Sequence, residues 1–146
     1  MIFKLDELRF ALHVSAVERV IWAAEVTPLP GAPSILLGVL NVRGKIIPVV
    51  NLRRRLGLTE REIEPSDQLI IGHTSSRPLA LIADAVTGVI ELPEENVIAA
   101  NRVFSNPEYV EGVVKLEGDL VLIHDLDTFL SFGEETALDA ALRADS

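Results

Sequence analysis

In "LRFALHV" (8–14) apolar and polar positions alternate, with Leu8, Phe10, Leu12 and Val14 on one side and Arg9, Ala11 and His13 on the other. A two-residue period marks a strand with one buried face, and "IFKL" (2–5), cut off by Asp6 and Glu7, is placed to pair with it as a hairpin. "SAVE" (15–18) has the Ser-x-x-Glu spacing of a capping box and predicts a single helical turn. "VIWAAEV" (20–26) returns to extended structure, and the proline-rich "TPLPGAP" (27–33) cannot continue a sheet interior. Ser34 is placed to cap a short turn. "GVLNVRGKIIPVV" (38–50) then predicts two strands meeting at a tight Arg43-Gly44 turn. Asn51 follows as the cap of "LRRRLGL", with Gly57 as its stop.

The second half reads in the same terms. "TEREIEPSD" (59–67) is a polar surface linker, and "QLIIGHT" (68–74) is a strand ending at the turn "SSRP". "LALIADAVTGVIELP" (79–93) is extended in two pieces, and "NRVFSNPE" (101–108) is a loop. "GVVKLEGDLVLI" (112–123) is a hairpin turning at Glu117-Gly118; Asp125 is placed to cap "LDTFLSF", and Thr136 a last helix, "ALDAALR". Many short strands and a few short helices predict a mainly β protein, a barrel or a sandwich.

Two blocks recur. "GVLNVRGKIIPVVNLRRRL" (38–56) aligns without a gap to "GVVKLEGDLVLIHDLDTFL" (112–130), and "FALHVSAVERVI" (10–21) aligns to "LALIADAVTGVI" (79–90). Two matches in one order, with the same turn logic, predict a tandem repeat of one β unit. The repeat keeps its apolar positions and inverts its charges: Arg43 answers to Glu117, Lys45 to Asp119, Arg53 to Asp127, while Glu18 answers to Thr87. Core positions need apolar residues whatever the function. The non-repeating polar positions are therefore where a specific partner is read.

At 146 residues, nearly half apolar, the chain is long enough for one compact domain. It has no cysteine, which fits a reducing cytoplasm and removes disulfides and thiolate metal sites. "MIFKLDE" puts acids where a signal peptide needs a basic region, and the longest uncharged stretch, Val26 to Val42, is broken by Pro28, Pro30 and Pro33; neither export nor membrane insertion is expected. A net charge of −9 argues against nucleic acid as a partner. That charge divides unevenly, +2 over residues 1–66 and −11 over residues 67–146, which fits either two differently solvated faces or head-to-tail docking of unlike surfaces.

Chemistry-bearing constellations do not emerge. His13, His73 and His124 lack metal-ligand spacing, Asp125 and Asp127 fall at a helix start where acids favour the dipole, and neither a phosphate loop nor a nucleophile elbow is present. Arg53-Arg54-Arg55 reads as a solvated helix face or a phosphate contact. No catalytic residue, cofactor or metal is expected.

"LLGVLNVRGKIIPVVNLRRRLGL" (36–58) resembles the signature of the CheW family, the coupling proteins of bacterial chemotaxis. "VSAVERVI", "ALIADAVTGVIELPEENV" and "YVEGVVKLEGDLVLIHDLDTFLS" are similar to its other blocks, so the likeness runs nearly end to end. The resemblance implies one CheW-like domain over 1–146, made of two intertwined five-stranded SH3-like barrels at about 10–66 and 67–132 with a short C-terminal helix. It also implies a cytoplasmic, non-enzymatic scaffold. The implied partners are the cytoplasmic tip of a chemoreceptor (a methyl-accepting chemotaxis protein) and the regulatory domain of a CheA-type histidine kinase.

By the same resemblance, Glu18 and Arg43 are signature charges, lying near each other beside an apolar groove between the barrels. Asn41 and Gly44 shape the turn, and Val14, Val17, Val20, Val39 and Val86 are candidates to line the groove. The alternative for Arg43 and Glu18 is a surface ion pair that braces the turn. Kinase contacts are expected at the barrel ends, with the loop from Ala99 to Pro107 as one candidate. Two other functions remain open: an adaptor for a pilus-motility or other non-chemotaxis kinase, and a small-ligand or nucleic-acid-binding β-barrel.

Overall fold

The computed structural model describes residues 1–23, 25–91, 94–99 and 110–144. Eleven strands appear among them: β1 (Ile2–Leu5), β2 (Leu8–Leu12), β3 (Val17–Trp22), β4 (Leu36–Val42), β5 (Lys45–Val50), β6 (Gln68–His73), β7 (Pro78–Ala83), β8 (Ala85–Gly88), β9 (Ile98–Ala99), β10 (Val110–Leu116) and β11 (Asp119–His124). Two α-helices join them, α1 (Leu52–Arg55) and α2 (Phe132–Ala144). The strands form two sheets, ordered β8-β1-β2-β11-β10-β9 and β3-β6-β7-β5-β4. One sheet therefore has six strands, not five; the extra one is the two-residue β9.

The repeat is written into the register. Val49 lies opposite Ala80 in the five-stranded sheet, and their equivalents Ile123 and Ala11 lie opposite each other in the six-stranded one; Val50 with Leu81 matches His124 with Leu12 in the same way. Val17 opposite Gly72 matches Val86 opposite Phe3. These pairings extend the repeat upstream of Phe10, since β1 is the counterpart of β6, so the first unit starts at Ile2.

Neither unit keeps its strands to itself. The first gives β1 and β2 to one sheet and β3, β4 and β5 to the other; the second gives β6 and β7 to that other sheet and the rest back to the first. The halves 10–66 and 67–132 are thus interlaced. The five-stranded sheet takes its strands from residues 17–83, while the six-stranded one takes them from 2–12 and 85–124.

This exchange produces three apolar clusters. The largest lies between the sheets and holds Phe3, Phe10, Leu12, Val50, Leu81, Leu126 and Phe129, with Leu138 and Ala141 of α2 against it. Each sheet also has a cluster of its own, around Leu40, Ile47, Val49 and Ile71 in one and around Ile2, Val114, Val121 and Ile123 in the other. Burial of one such Leu or Ile contributes roughly 1.5–3 kcal/mol. Because both faces of β2 are covered, Ala11 is buried along with Phe10 and Leu12, while Leu8, at the strand's start, and Val14, beyond its end, are exposed.

Local expectations diverge at several points. At "SAVE" a single helical turn does form, as a 3₁₀ turn over Val14–Ala16, but without the capping box: its N-cap is His13, with no side-chain bond, and Glu18 already lies in β3. Asn51 caps α1 as expected, accepting from the Arg54 N–H at 3.2 Å. Asp125 caps only a 3₁₀ turn, Leu126–Thr128. The last helix begins at Phe132, not near Thr136. Ser131 and Glu134 cap it reciprocally, the Glu134 N–H donating to Ser131 Oγ and the Ser131 N–H to Glu134 Oε1.

The arginine triplet and the linker are not merely solvated. Arg53 is buried, donating to Asp6 at 3.0 Å and to Asp84 at 2.8 Å; Arg54 reaches Glu60, and Arg55 reaches Glu134. Within the linker, Arg61 donates to buried Asp67 and to Asp84. Asp84 sits at the crossover from β7 to β8, so this ionic network binds the passage between the sheets. No helix among the described residues is long and apolar enough to cross a membrane.

Candidate functional site

Three local features of the five-stranded sheet converge at one cleft. The first is the β4–β5 turn, where Arg43 and Gly44 have φ of 53° and 83°. Positive φ at both central residues gives the I′ turn that matches strand twist, and Asn41 holds it by accepting the Gly44 N–H at 2.8 Å. The second is a β-bulge in β3: the register with β6 shifts between Val17 and Arg19, leaving Glu18 as the extra residue. The equivalent bulge leaves Thr87 extra in β8.

Two prolines supply the third feature. Strands β2 and β11 pair in parallel over four positions, Arg9–Leu12 with Val121–His124, but β7 and β5 pair only at Ala80 with Val49 and Leu81 with Val50. The missing positions contain Pro78 and Pro48, which have no N–H to give a ladder. The ladder is interrupted there, and a cleft of about 190 Å³ lies beside the interruption. Glu18 and Arg19 of β3, Val42, Arg43 and Lys45 of the hairpin, Ile47, Ile71 and Pro78 line it.

Glu18 and Arg43 thus stand at one cleft without pairing. The Glu18 carboxylate is 2.6 Å from Nε2 of His73, and Arg43 makes no hydrogen bond or ion pair among the described residues. His73 was not singled out by the sequence, because its place at the exposed end of a strand carries no distinctive spacing. The valines do not share this cleft. Val17, Val20, Val39 and Val86 are half-buried against the inter-sheet cluster, whereas Val14 lines a separate, mostly apolar groove of about 370 Å³ with Val89, Ile90 and Val97. Of the Ala99–Pro107 loop, residues 100–107 lie outside the described residues.

The histidines have separate surroundings. His13 meets Glu111 at 2.9 Å, His73 meets Glu18, and His124 is buried between the rings of Phe10 and Phe129. Among the described residues no group of three or more His, Asp or Glu is placed to hold a metal.

Comparison with known proteins gives a consistent result. The CheW-like domain model matches residues 1–134. The chain is 32% identical over 128 residues to the chemotaxis protein CheW of Thermotoga maritima, covering 88% of this chain and 84% of that one. It is 28% identical over 137 residues to the chemotaxis protein CheW of Rhizobium meliloti, covering 92% and 88%. It is also 32% identical over 126 residues to the protein FrzA of Myxococcus xanthus, covering 86% and 79%. The crystal structure of the scaffolding protein TtCheW from Thermoanaerobacter tengcongensis matches with a TM-score of 0.83 at 29% identity, over 91% of this chain and 92% of that one.

Proposed function

This chain belongs to the CheW-like domain family, and we propose that it is a chemotaxis scaffold that couples a chemoreceptor to a histidine kinase without catalysing a reaction itself. The observation that carries the reading is the family match over residues 1–134, and the cleft at Glu18 and Arg43 supplies its physical form. A rigid I′ turn that displays a permanently charged guanidinium, unpaired among the described residues, is suited to reading a partner. The receptor is the cytoplasmic tip of a methyl-accepting chemotaxis protein, a helical hairpin presenting side chains at i, i+3 and i+4. Half-buried Val17, Val20, Val39 and Val86 offer it apolar contact.

The kinase partner is the regulatory domain of a CheA-type enzyme, and the place of assembly is the cytoplasm. The two hairpin tips, basic at Arg43 and Lys45 and acidic at Glu117 and Asp119, give unlike ends for unlike neighbours. Beside each tip an apolar side chain is exposed, Ile46 in one and Leu120 in the other. A related adaptor for a non-chemotaxis kinase is the second reading, favoured by the similarity to FrzA.

Co-purification of the full chain with a CheA-type kinase and a receptor-tip fragment tests the proposal. Association with the kinase should slow as salt rises, because charges on an interface rim act over roughly 8 Å at physiological ionic strength. Failure to bind either partner would overturn the scaffold reading.

A further inference from the structure

We propose that the cleft between the β4–β5 turn and the start of β7 is a receptor for one acidic side chain, an aspartate or glutamate carboxylate presented by a partner protein. The identity of that partner rests on the scaffold reading; the chemistry of the site does not.

The other repeat carries an internal counter-charge at the equivalent place. In the six-stranded sheet, the hairpin acids Glu117 and Asp119 face Arg9, whose guanidinium lies 3.9 and 4.0 Å from them. Arg9 is the equivalent of Pro78, and the two acids are the equivalents of Arg43 and Lys45. One half therefore answers its hairpin charges from within, with a side chain of β2. The other half has reversed the hairpin charges and put a proline where the counter-charge belongs.

That proline has a second effect. With Pro48 it removes the ladder pairing of β5 and β7 at two positions that are paired in the other sheet, and the cleft, lined by Pro78 itself, lies where an inner counter-charge would stand. Arg19, Arg43 and Lys45 line it, against a single acid. The Glu18 carboxylate is turned to His73 at 2.6 Å, and Arg43 forms no ion pair among the described residues. About 190 Å³ admits one side chain and falls below the roughly 300–1,000 Å³ usual for small-molecule sites. A guanidinium on a rigid turn suits a planar carboxylate held by charge-assisted hydrogen bonds. The net charge of −9 disfavours a polyanion.

The test uses the full chain at low salt, followed by amide ¹H–¹⁵N spectra. Titration with N-acetylglutamate amide should shift the amides of Arg19, Gly44 and Lys45, and the uncharged N-acetylglutamine amide should not. Arg43→Ala should weaken the response at least about tenfold, the loss expected for one charge-assisted contact. Lys45→Ala should weaken it in the same direction. Pro78→Glu should abolish the response by supplying an internal carboxylate. Equal shifts with the glutamine compound or with inorganic phosphate, or no shift at all, would overturn the site.

In the second arm, Arg43→Glu should lose a receptor-tip fragment, and one Glu→Lys or Asp→Lys change in that fragment should restore binding. A fragment that fails to bind the unaltered chain counts against the scaffold reading and leaves the carboxylate titration to decide the site. Normal binding with Arg43→Glu would remove Arg43 from partner recognition.

Discussion

Arg53 and Asp127 occupy the same position in the two repeats and clamp equivalent turns with opposite polarity. Arg53 donates twice to Asp6 in the β1–β2 turn, at 3.0 Å. Asp127 instead accepts, at 2.7 Å, the N–H of Ser75, which is the equivalent of Asp6 in the β6–β7 turn. The inverted charge at this pair is structural, unlike that at Arg43 and Glu117.

The two clamps should differ in strength. Arg53 is buried and also holds Asp84, so Arg53→Ala strands carboxylates in a partly dry place and should cost about 2–4 kcal/mol. Asp127 is exposed and gives up one hydrogen-bonded turn, so Asp127→Ala should cost about 1 kcal/mol. Urea unfolding of both variants measures the difference; equal losses would deny Arg53 its special role.

Acid should unfold the protein through the same network. Burial raises the Asp84 carboxyl pKa, but the Asp6 N–H and the guanidinium groups of Arg53 and Arg61 outweigh it and hold the carboxyl below its ordinary value of 3.8. Asp67 is lowered against the same burial cost by Arg61 and the Glu64 N–H, and Glu134 by the Ser131 N–H and Arg55. Depressed carboxylates contribute stability above their unfolded values and lose it as pH falls through the folded ones. Stability should therefore change little from these groups between pH 7 and about 5, then fall increasingly below about 4. Asp84→Asn should flatten that acid limb in unfolding measured across pH.

At the tip of the first hairpin, stability and recognition should pull apart. Arg43 holds a left-handed φ of 53° that asparagine tolerates better. Since the arginine forms no ion pair among the described residues, Arg43→Asn should leave stability unchanged or raise it by up to about 1 kcal/mol. Receptor affinity of the same variant should fall. A clear drop in melting temperature with unaltered affinity would return Arg43 to the role of a brace.

Gly38 should resist even the smallest side chain. Its φ is 151°, and a Cβ built there collides with the Thr27 carbonyl oxygen, which bonds the Val39 N–H at 2.8 Å. Gly38→Ala must break that bridge or displace the 27–33 connector, at a cost of roughly 2–4 kcal/mol. Gly44→Ala should cost less, about 1 kcal/mol, because its strain is conformational and no atom stands within 4 Å of the added carbon.

How far the residues foretold this molecule depends on how local each determinant is. Both hairpins, their turn residues and the Asn51 cap were legible, since each is decided within a few residues by φ preference and by the spacing of apolar positions. The repeat was legible because Gly38 and Gly112, or Ala11 and Ala80, meet the same crowding in each copy. Which strand lies beside which was not. A two-residue period says which face is buried and is silent about the neighbour, so the exchange of β1 and β2 for β6 and β7 was carried only by the family resemblance, which implied intertwined units.

Arg53 misled for a related reason. Three arginines on a short capped helix look solvated, and the acids that draw one of them inward, Asp6 and Asp84, come from distant elements. "SAVE" carried a valid capping pattern, yet the chain there crosses between sheets, and the turn stops at Ala16 because Glu18 belongs to the bulged strand. At the cleft, Glu18 and Arg43 came from family likeness. The interrupted ladder beside it goes with Pro48 and Pro78, whose meaning appears only when the second copy is laid over the first.

The interlacing of the strands also sets a timetable for the nascent chain. By the time residue 83 has been made, every strand of the five-stranded sheet exists, and that sheet can form while synthesis continues. The β1–β2 hairpin, made earlier than that sheet, must wait for β11, which pairs with β2 in parallel from more than a hundred residues away. Closing so long a loop is slow, and until it closes β2 presents an unpaired apolar edge to whatever else is in solution. Strands made before the five-stranded sheet are therefore protected after it.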